Sequence, residues 1–74
     1  MIAYITGASS GLGAYTAQAL VDTGWTVVAG ARSFTGETDG RVTRLPLDVT
    51  RDDSVRDFME RAKQIGAPDA VIHC

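Results

Sequence analysis

Short apolar runs alternate along the chain with segments whose apolar residues recur at helical spacing, and this alternation predicts an α/β protein. Ile2 to Thr6 (IAYIT) is apolar and β-branched, as suits a strand buried on both faces of a parallel sheet. Behind a glycine-rich turn, Gly13, Ala17, Leu20 and Val21 fall at i, i+4, i+7 and i+8. That is a narrow helical stripe for close packing, and Gly24 supplies its left-handed stop. Trp25 to Ala31 (WTVVAGA) reads as a second strand and Arg41 to Leu47 as a third, leading into Asp48. A helix follows with marked boundaries. Thr50 with Asp53 predicts a capping-box variant, Asp52 and Asp53 put negative charge in the first turn, and Gly66 followed by Pro68 ends the element. Inside these limits Val55, Phe58, Met59, Ala62 and Ile65 run at i, i+3, i+4, i+7 and i+10, which reads Phe58 and Met59 as core. Asp69 to Cys74 (DAVIHC) is a fourth strand.

Right-handed crossovers between such strands give a parallel sheet of about four strands in the order 3-2-1-4. The first helix then lies on one face and the Thr50 to Ile65 helix on the other. One joint departs from the pattern. Between the second and third strands stand only about nine residues, the polar stretch Ser33 to Gly40 with its flanks, and Gly36 and Gly40 argue against a full helix. Parallel crossovers usually take a dozen or more residues, so a loop or a single turn is expected there.

Composition changes the picture chiefly by exclusion. A hydrophobic share of 45% and a charged share of 22% are those of an ordinary globular protein, and a formal charge of −2 offers no basic footprint for nucleic acid. An anionic partner therefore needs a local site. Cys74 is the sole cysteine, so an intramolecular disulfide is excluded, no Cys/His cluster at metal spacing exists, and a reducing, cytoplasmic setting is expected. The apolar runs are strand-sized, far short of the ~18 residues of a membrane span, and no basic segment precedes a long apolar core. The expectation is a chain neither exported nor membrane-embedded. A domain of 74 residues buries only roughly 60% of the surface its unfolded chain exposes. With both sheet faces partly covered and an open apolar edge at Asp69 to Cys74, the isolated chain is expected to be aggregation-prone, homo-oligomeric or partly molten.

The candidate chemistry sits in TGASSGLG, Thr6 to Gly13. A strand, a glycine-rich turn and an amphipathic helix bring backbone N–H groups to a helix N-terminus, where unpaired donors and the positive dipole end favour anionic oxygens. Gly7 permits the tight turn, Gly11 lets a pyrophosphate approach the backbone, and Gly13 lets the helix lie on the strand, while Ser9 and Ser10 can add hydroxyl donors. The competing reading is a plain strand-to-helix turn. Nucleotide triphosphate hydrolysis fits less well, because Leu12 and Gly13 stand where the Walker pattern needs lysine and a hydroxyl residue. At the end of the second strand an acidic residue would bind a ribose 2′-hydroxyl. Here Ala31 and Arg32 stand instead, offering a cation to a 2′-phosphate and favouring NADP(H) over the alternative NAD(H). A solvated surface arginine is the competing reading of Arg32.

TGASSGLG together with GAR at Gly30 to Arg32, LDVT at Leu47 to Thr50 and AVIHC at Ala70 to Cys74 resembles the classical short-chain dehydrogenase/reductase family. The glycine spacing matches the TGxxxGxG form, whereas extended, epimerase-type members place the second glycine where Ser10 stands. The resemblance covers the whole chain but only about the first third of a typical member. It implies that residues 1–74 form the N-terminal part of a single NAD(P)-binding Rossmann domain, in an oxidoreductase moving hydride between nicotinamide and an alcohol or ketone. By the same resemblance Gly7, Ser9, Ser10, Gly11 and Leu12 are pyrophosphate and ribose contacts, with Gly13 completing the motif, and Arg32 is the 2′-phosphate ligand. Asp48 would take the adenine amino group and Val49 would offer its backbone N–H to the ring, the competing reading of Asp48 being a polar strand end. His73 and Cys74 fall where the family has paired asparagines, whose role is largely structural and main-chain. As neighbours in a strand the two point to opposite faces, which argues against a joint nucleophile or metal site. The family's catalytic serine and Tyr-x-x-x-Lys pair lie beyond Cys74, and Tyr15, with Ala19 four residues on, does not replace them. No residue is assigned to proton transfer. The alternative function is a non-catalytic dinucleotide-binding module or a truncated product without activity.

Overall fold

Strand β1 (Ile2–Thr6) runs through the interior of a five-stranded sheet, flanked by β2 (Thr26–Ala31) and β5 (Ala70–His73). The structure, a computed structural model, describes residues 1–8 and 11–74. The remaining elements are α1 (Gly11–Asp22), β3 (Glu37–Asp39), β4 (Val42–Pro46) and α2 (Asp52–Ile65). The sheet order is β3-β4-β2-β1-β5, and β4, β2, β1 and β5 are mutually parallel. Those four are the expected strands in the expected order. None of the described helices is long and apolar enough to cross a membrane.

The fifth strand corrects the sequence reading. Where a loop or single turn was expected, Glu37–Asp39 pairs antiparallel with β4 in the register Glu37↔Arg44, Thr38↔Thr43 and Asp39↔Val42. The hairpin closes through Gly40 and Arg41, with Gly40 at φ +60, a turn form that puts glycine at its first central position. A cross-strand contact of 3.1 Å between the Thr38 and Thr43 hydroxyls adds to the pairing.

Side chains alternate between the two faces, as the pleat requires. Tyr4, Val28, Leu45 and Leu47 pack with Phe58 and Ala62 of α2, while Ile5, Val27, Ala29 and Val42 pack with Ala17 of α1 and Ala8. Met59 is partly buried against the α2-side cluster, so Phe58 and Met59 are the core residues their spacing indicated. The α2 stripe is narrower than its periodicity suggested, since Val55 and Ile65 near its two ends remain exposed. Tyr4 meets Phe58 edge to face, with ring centroids 6.1 Å apart, and its fully buried hydroxyl donates to the Gly66 carbonyl at 2.6 Å. That burial raises the phenol's pKa.

The helix boundaries show which local signals prevailed. At the end of α1, Gly24 (φ +96) lets its own N–H reach Val21 O and the Trp25 N–H reach Leu20 O, the paired bonds of a left-handed glycine stop. The capping box expected from Thr50 and Asp53 does not form. Arg51 holds the N-cap position of α2 with no side-chain cap bond, because the Thr50 hydroxyl donates to Asp48 and the Asp53 carboxylate pairs with Arg51 at 2.9 Å. Thr50 had an acceptor two residues back, and local side-chain bonds of that kind compete with capping.

Gly30 is a tight point of the α2-side core. A Cβ there would lie 2.7 Å from Leu47 Cδ2 and 2.8 Å from Phe58 Cε2. Overpacking of this sort costs about 1–3 kcal/mol. Gly30→Ala is therefore expected to lower the urea unfolding midpoint without changing the slope of the transition, and an unchanged midpoint would contradict the packing described.

Candidate functional site

The four parallel strands end together, and past their carboxyl ends lies an open cleft of ≈ 770 Å³. Open α/β sheets bind ligands at this end of the strands, where the order of connection reverses. The reversal here is between β1, which continues through α1 to β2, and β5, which arrives from α2 on the opposite face. Each strand contributes to the wall. Thr6 and Gly7 come from the end of β1, Ala31 to Ser33 from the end of β2, Leu47 to Thr50 from the segment after β4, and His73 and Cys74 from β5.

The turn from β1 into α1 is built on close approach. Gly7 has φ +71, and a Cβ there would lie 2.5 Å from the Cys74 carbonyl oxygen. A Cβ on Gly13 would lie 2.5 Å from the Gly7 carbonyl oxygen and 2.9 Å from Ala8 Cα. Gly13 is accordingly buried, its missing side chain serving helix-on-strand contact. Gly11 differs from both. It has φ +58, and a Cβ on it would meet none of the described residues within 4 Å, so the backbone at the start of α1 is open on that side. Leu12 beside it is 72% exposed. Ser9 and Ser10, the hydroxyl donors expected in this turn, lie outside the described residues.

A residue that sequence reasoning missed holds the turn down. The Gly30 carbonyl accepts hydrogen bonds from the Gly7 N–H at 2.9 Å and the Ala8 N–H at 3.3 Å, which ties the turn to the adjoining strand and commits both amides. The available signal was a glycine inside an apolar strand, which often marks a close backbone approach.

Beyond β2, Ala31 is buried and Arg32 is exposed at the cleft wall with Ser33. Across from it Asp48 is held in a fixed pose by its neighbours. Its Oδ1 accepts from the Thr50 amide at 3.0 Å and the Thr50 hydroxyl at 2.6 Å, and its own N–H donates to Ser54 Oγ at 2.8 Å. The two Thr50 bonds are the main reason the Asp48 carboxyl titrates below its ordinary range, with smaller contributions from the positive charges of Arg32 and Arg51. Val49 is 66% exposed beside it.

His73 and Cys74 both border the cleft, but they are not joined into one centre. The Cys74 N–H extends the β1–β5 ladder to the Thr6 carbonyl at 3.1 Å, and His73 Nδ1 lies 2.7 Å from the Thr6 hydroxyl. Among the described residues no three His, Cys, Asp or Glu side chains gather as metal ligands. Tyr15 stands on the exposed surface of α1.

A family profile described as short chain dehydrogenase matches residues 1–74. The chain is 43% identical over 82 aligned positions to protochlorophyllide reductase B, chloroplastic, of Oryza sativa subsp. japonica, and 42% identical over 80 to protochlorophyllide reductase, chloroplastic, of Cucumis sativus. These alignments cover 97% and 95% of the chain but 20% of each relative, so the chain spans about a fifth of their length. Among solved structures, a double mutant of the short-chain dehydrogenase/reductase of Serratia marcescens superimposes with a TM-score of 0.89 at 21% identity, covering 99% of this chain and 34% of that one. A short-chain dehydrogenase/reductase from Serratia marcescens BCRC 10948 gives 0.83 at 23% identity, covering 95% and 33%. At such identity the superpositions show the fold.

The expected cytoplasmic location is overturned by the curated relatives named above, which are chloroplastic proteins. A lone cysteine distinguishes an oxidising from a reducing compartment, not one reducing compartment from another. With a profile match over its whole length, relatives above 40% identity and a sheet of matching architecture, the chain belongs to the short-chain dehydrogenase family, oxidoreductases that bind a nicotinamide dinucleotide.

Proposed function

We propose that residues 1–74 bind the adenosine half and the diphosphate of NADP(H) for a short-chain dehydrogenase/reductase. The observation that carries this reading is Arg32, exposed at the cleft wall beyond β2 with Ala31 and Ser33 on either side and no carboxylate at that strand end. A carboxylate there would accept a ribose 2′-hydroxyl and repel a 2′-phosphate, whereas a guanidinium attracts the phosphate. The cradle also fits the group. Gly11 leaves its side-chain volume empty at the start of α1, where a diphosphate oxygen meets backbone donors and the positive end of the helix dipole. On this reading Gly7, Gly11, Leu12 and Gly13 shape that cradle, and Ser9 and Ser10 add hydroxyls to it. Arg32 takes the 2′-phosphate, and Asp48 and Val49 take the adenine edge.

Asp48 is suited to that task because both Thr50 donors converge on Oδ1, leaving Oδ2 to accept from an adenine amino group. The bound nicotinamide supplies or takes up the hydride, and the groups described here bind and orient. For the substrate, the names of the curated relatives make protochlorophyllide the first compound to test, beside the alcohols and ketones that the family resemblance implied.

Two measurements check this assignment. Calorimetric titration should show tighter binding of 2′,5′-ADP than of 5′-AMP, and Arg32→Ala should remove about 10- to 150-fold of that preference, the range set by one charge-assisted hydrogen bond. Equal affinities in the parent chain would refute the NADP(H) preference. Second, Thr50→Val should raise the Asp48 pKa toward its ordinary value in a carbon-detected NMR titration, since the hydroxyl bond is lost and the amide bond kept. The carboxyl is depressed in the folded state, so its contribution to stability is present above the unfolded-state pKa and fades as pH falls through the folded one. Thr50→Val should shrink that acid-side loss.

A further inference from the structure

Thr6 and His73 are partners at the last register position of the β1–β5 pair, and the Thr6 hydroxyl lies 2.7 Å from His73 Nδ1. Thr6 is nearly buried, and its hydroxyl makes no other hydrogen bond among the described residues. Donating to Nδ1 gives the hydroxyl proton a partner. Accepting from an Nδ1–H would leave that proton without a protein partner among the described residues, which is the costlier arrangement. The bond therefore favours the tautomer with hydrogen on Nε2. His73 is exposed and borders the cleft, so its remaining nitrogen is a donor available at the cleft wall.

The order of the strands says what that donor would meet. Across the cleft come Asp48 after β4, Arg32 after β2, the glycine turn after β1, and then His73 on β5. On the NADP(H) reading proposed above, on which this step rests, the first three positions take adenine, 2′-phosphate and diphosphate. We infer that His73 Nε2–H binds an oxygen of the cofactor that 2′,5′-ADP lacks, on the nicotinamide-side phosphate or on the ribose that phosphate carries. His73 is then a cofactor-binding residue and Thr6 the positioning residue that sets its tautomer. At this place the family resemblance implied asparagines acting largely through the main chain, so a side-chain contact here is a property of this chain's own residue.

The test compares two ligands on the 74-residue chain. His73→Phe keeps a flat ring and removes the donor. It should weaken NADP⁺ binding roughly 2- to 10-fold, the range of one neutral hydrogen bond, while leaving 2′,5′-ADP binding unchanged. Thr6→Val should act in the same direction, with Thr6→Ser restoring the parent affinity. Long-range ¹H–¹⁵N spectra of the parent should show the Nε2–H tautomer, with its resonance shifting on addition of NADP⁺ and not of 2′,5′-ADP. These spectra decide the matter if a variant fails to fold. An Nδ1–H tautomer, or NADP⁺ affinity indifferent to His73→Phe while the 2′,5′-ADP preference persists, overturns the role of His73 alone. A parent chain that binds 2′,5′-ADP no better than 5′-AMP overturns the cofactor reading and this role with it.

Discussion

The contact between the start of α1 and the end of β1 sets the geometry from which the cleft follows. No side chain separates Gly13 from the Gly7 carbonyl and Ala8 Cα, and the Gly7 and Ala8 amides are held by the Gly30 carbonyl on β2. One strand end, one helix start and one neighbouring strand are thereby fixed to each other by backbone alone. Residue sizes along α1 agree with this constraint. Gly13 and Ala17 occupy the buried positions of the stripe, and the larger Leu20 and Val21 follow where packing is only partial. A larger residue at position 13 would displace the helix, and with it the amides of its first turn.

Gly30 links this turn to the opposite face of the sheet. Its carbonyl serves the turn, while the space where its Cβ would stand is filled by Leu47 and Phe58 of the α2-side core. One residue thus supports the turn on one side and the α2-side core on the other. The two edges of the sheet are finished differently. Beside β4, the three polar residues of β3 close the edge with a short exposed strand, a device that discourages further pairing. At β5 the outer edge pairs with nothing among the described residues, and Val71 is 51% exposed there. An edge that is both apolar and unpaired recruits other strands, which is the physical basis for expecting self-association of this chain in isolation.

What was legible in the sequence followed from strong periodicity. IAYIT and WTVVAGA are runs that few structures except interior strands can accommodate, and glycines at positions 7, 11, 13 and 24 mark the turn and the helix stop. The parallel order then followed from connection handedness. β3 was not legible from periodicity, because Glu-Thr-Asp carries no apolar alternation, and its turn, Gly40–Arg41, offers a lone glycine with little apolar context around it. The capping box failed because Thr50 had two acceptable partners and sequence spacing does not rank them. Arg32 and Asp48 could be placed at strand ends from sequence. The fixing of Asp48 by Thr50 and Ser54, and the Thr6–His73 contact between residues 67 apart, depend on tertiary register.

Charge in the cleft also depends on these local bonds. The chain carries a net −2, and an acidic residue beside a proposed anion site looks counterproductive. Asp48, however, spends one carboxylate oxygen on two Thr50 donors and lies within the influence of Arg32 and Arg51. Arg51 is already paired with Asp53, so the nearby cation with no carboxylate partner of its own among the described residues is Arg32. Exposed pairs such as Arg51–Asp53 contribute little to stability; this one sets instead which guanidinium is left over. A 2′-phosphate arriving at the end of β2 would meet Arg32 without first displacing an ion pair. On the proposed reading, the side of the cleft that takes adenine keeps an ionised acceptor whose orientation is set before any ligand arrives. Prior orientation lowers the entropy cost of binding, and here it comes from Thr50, expected only as a helix-boundary residue, and from Ser54.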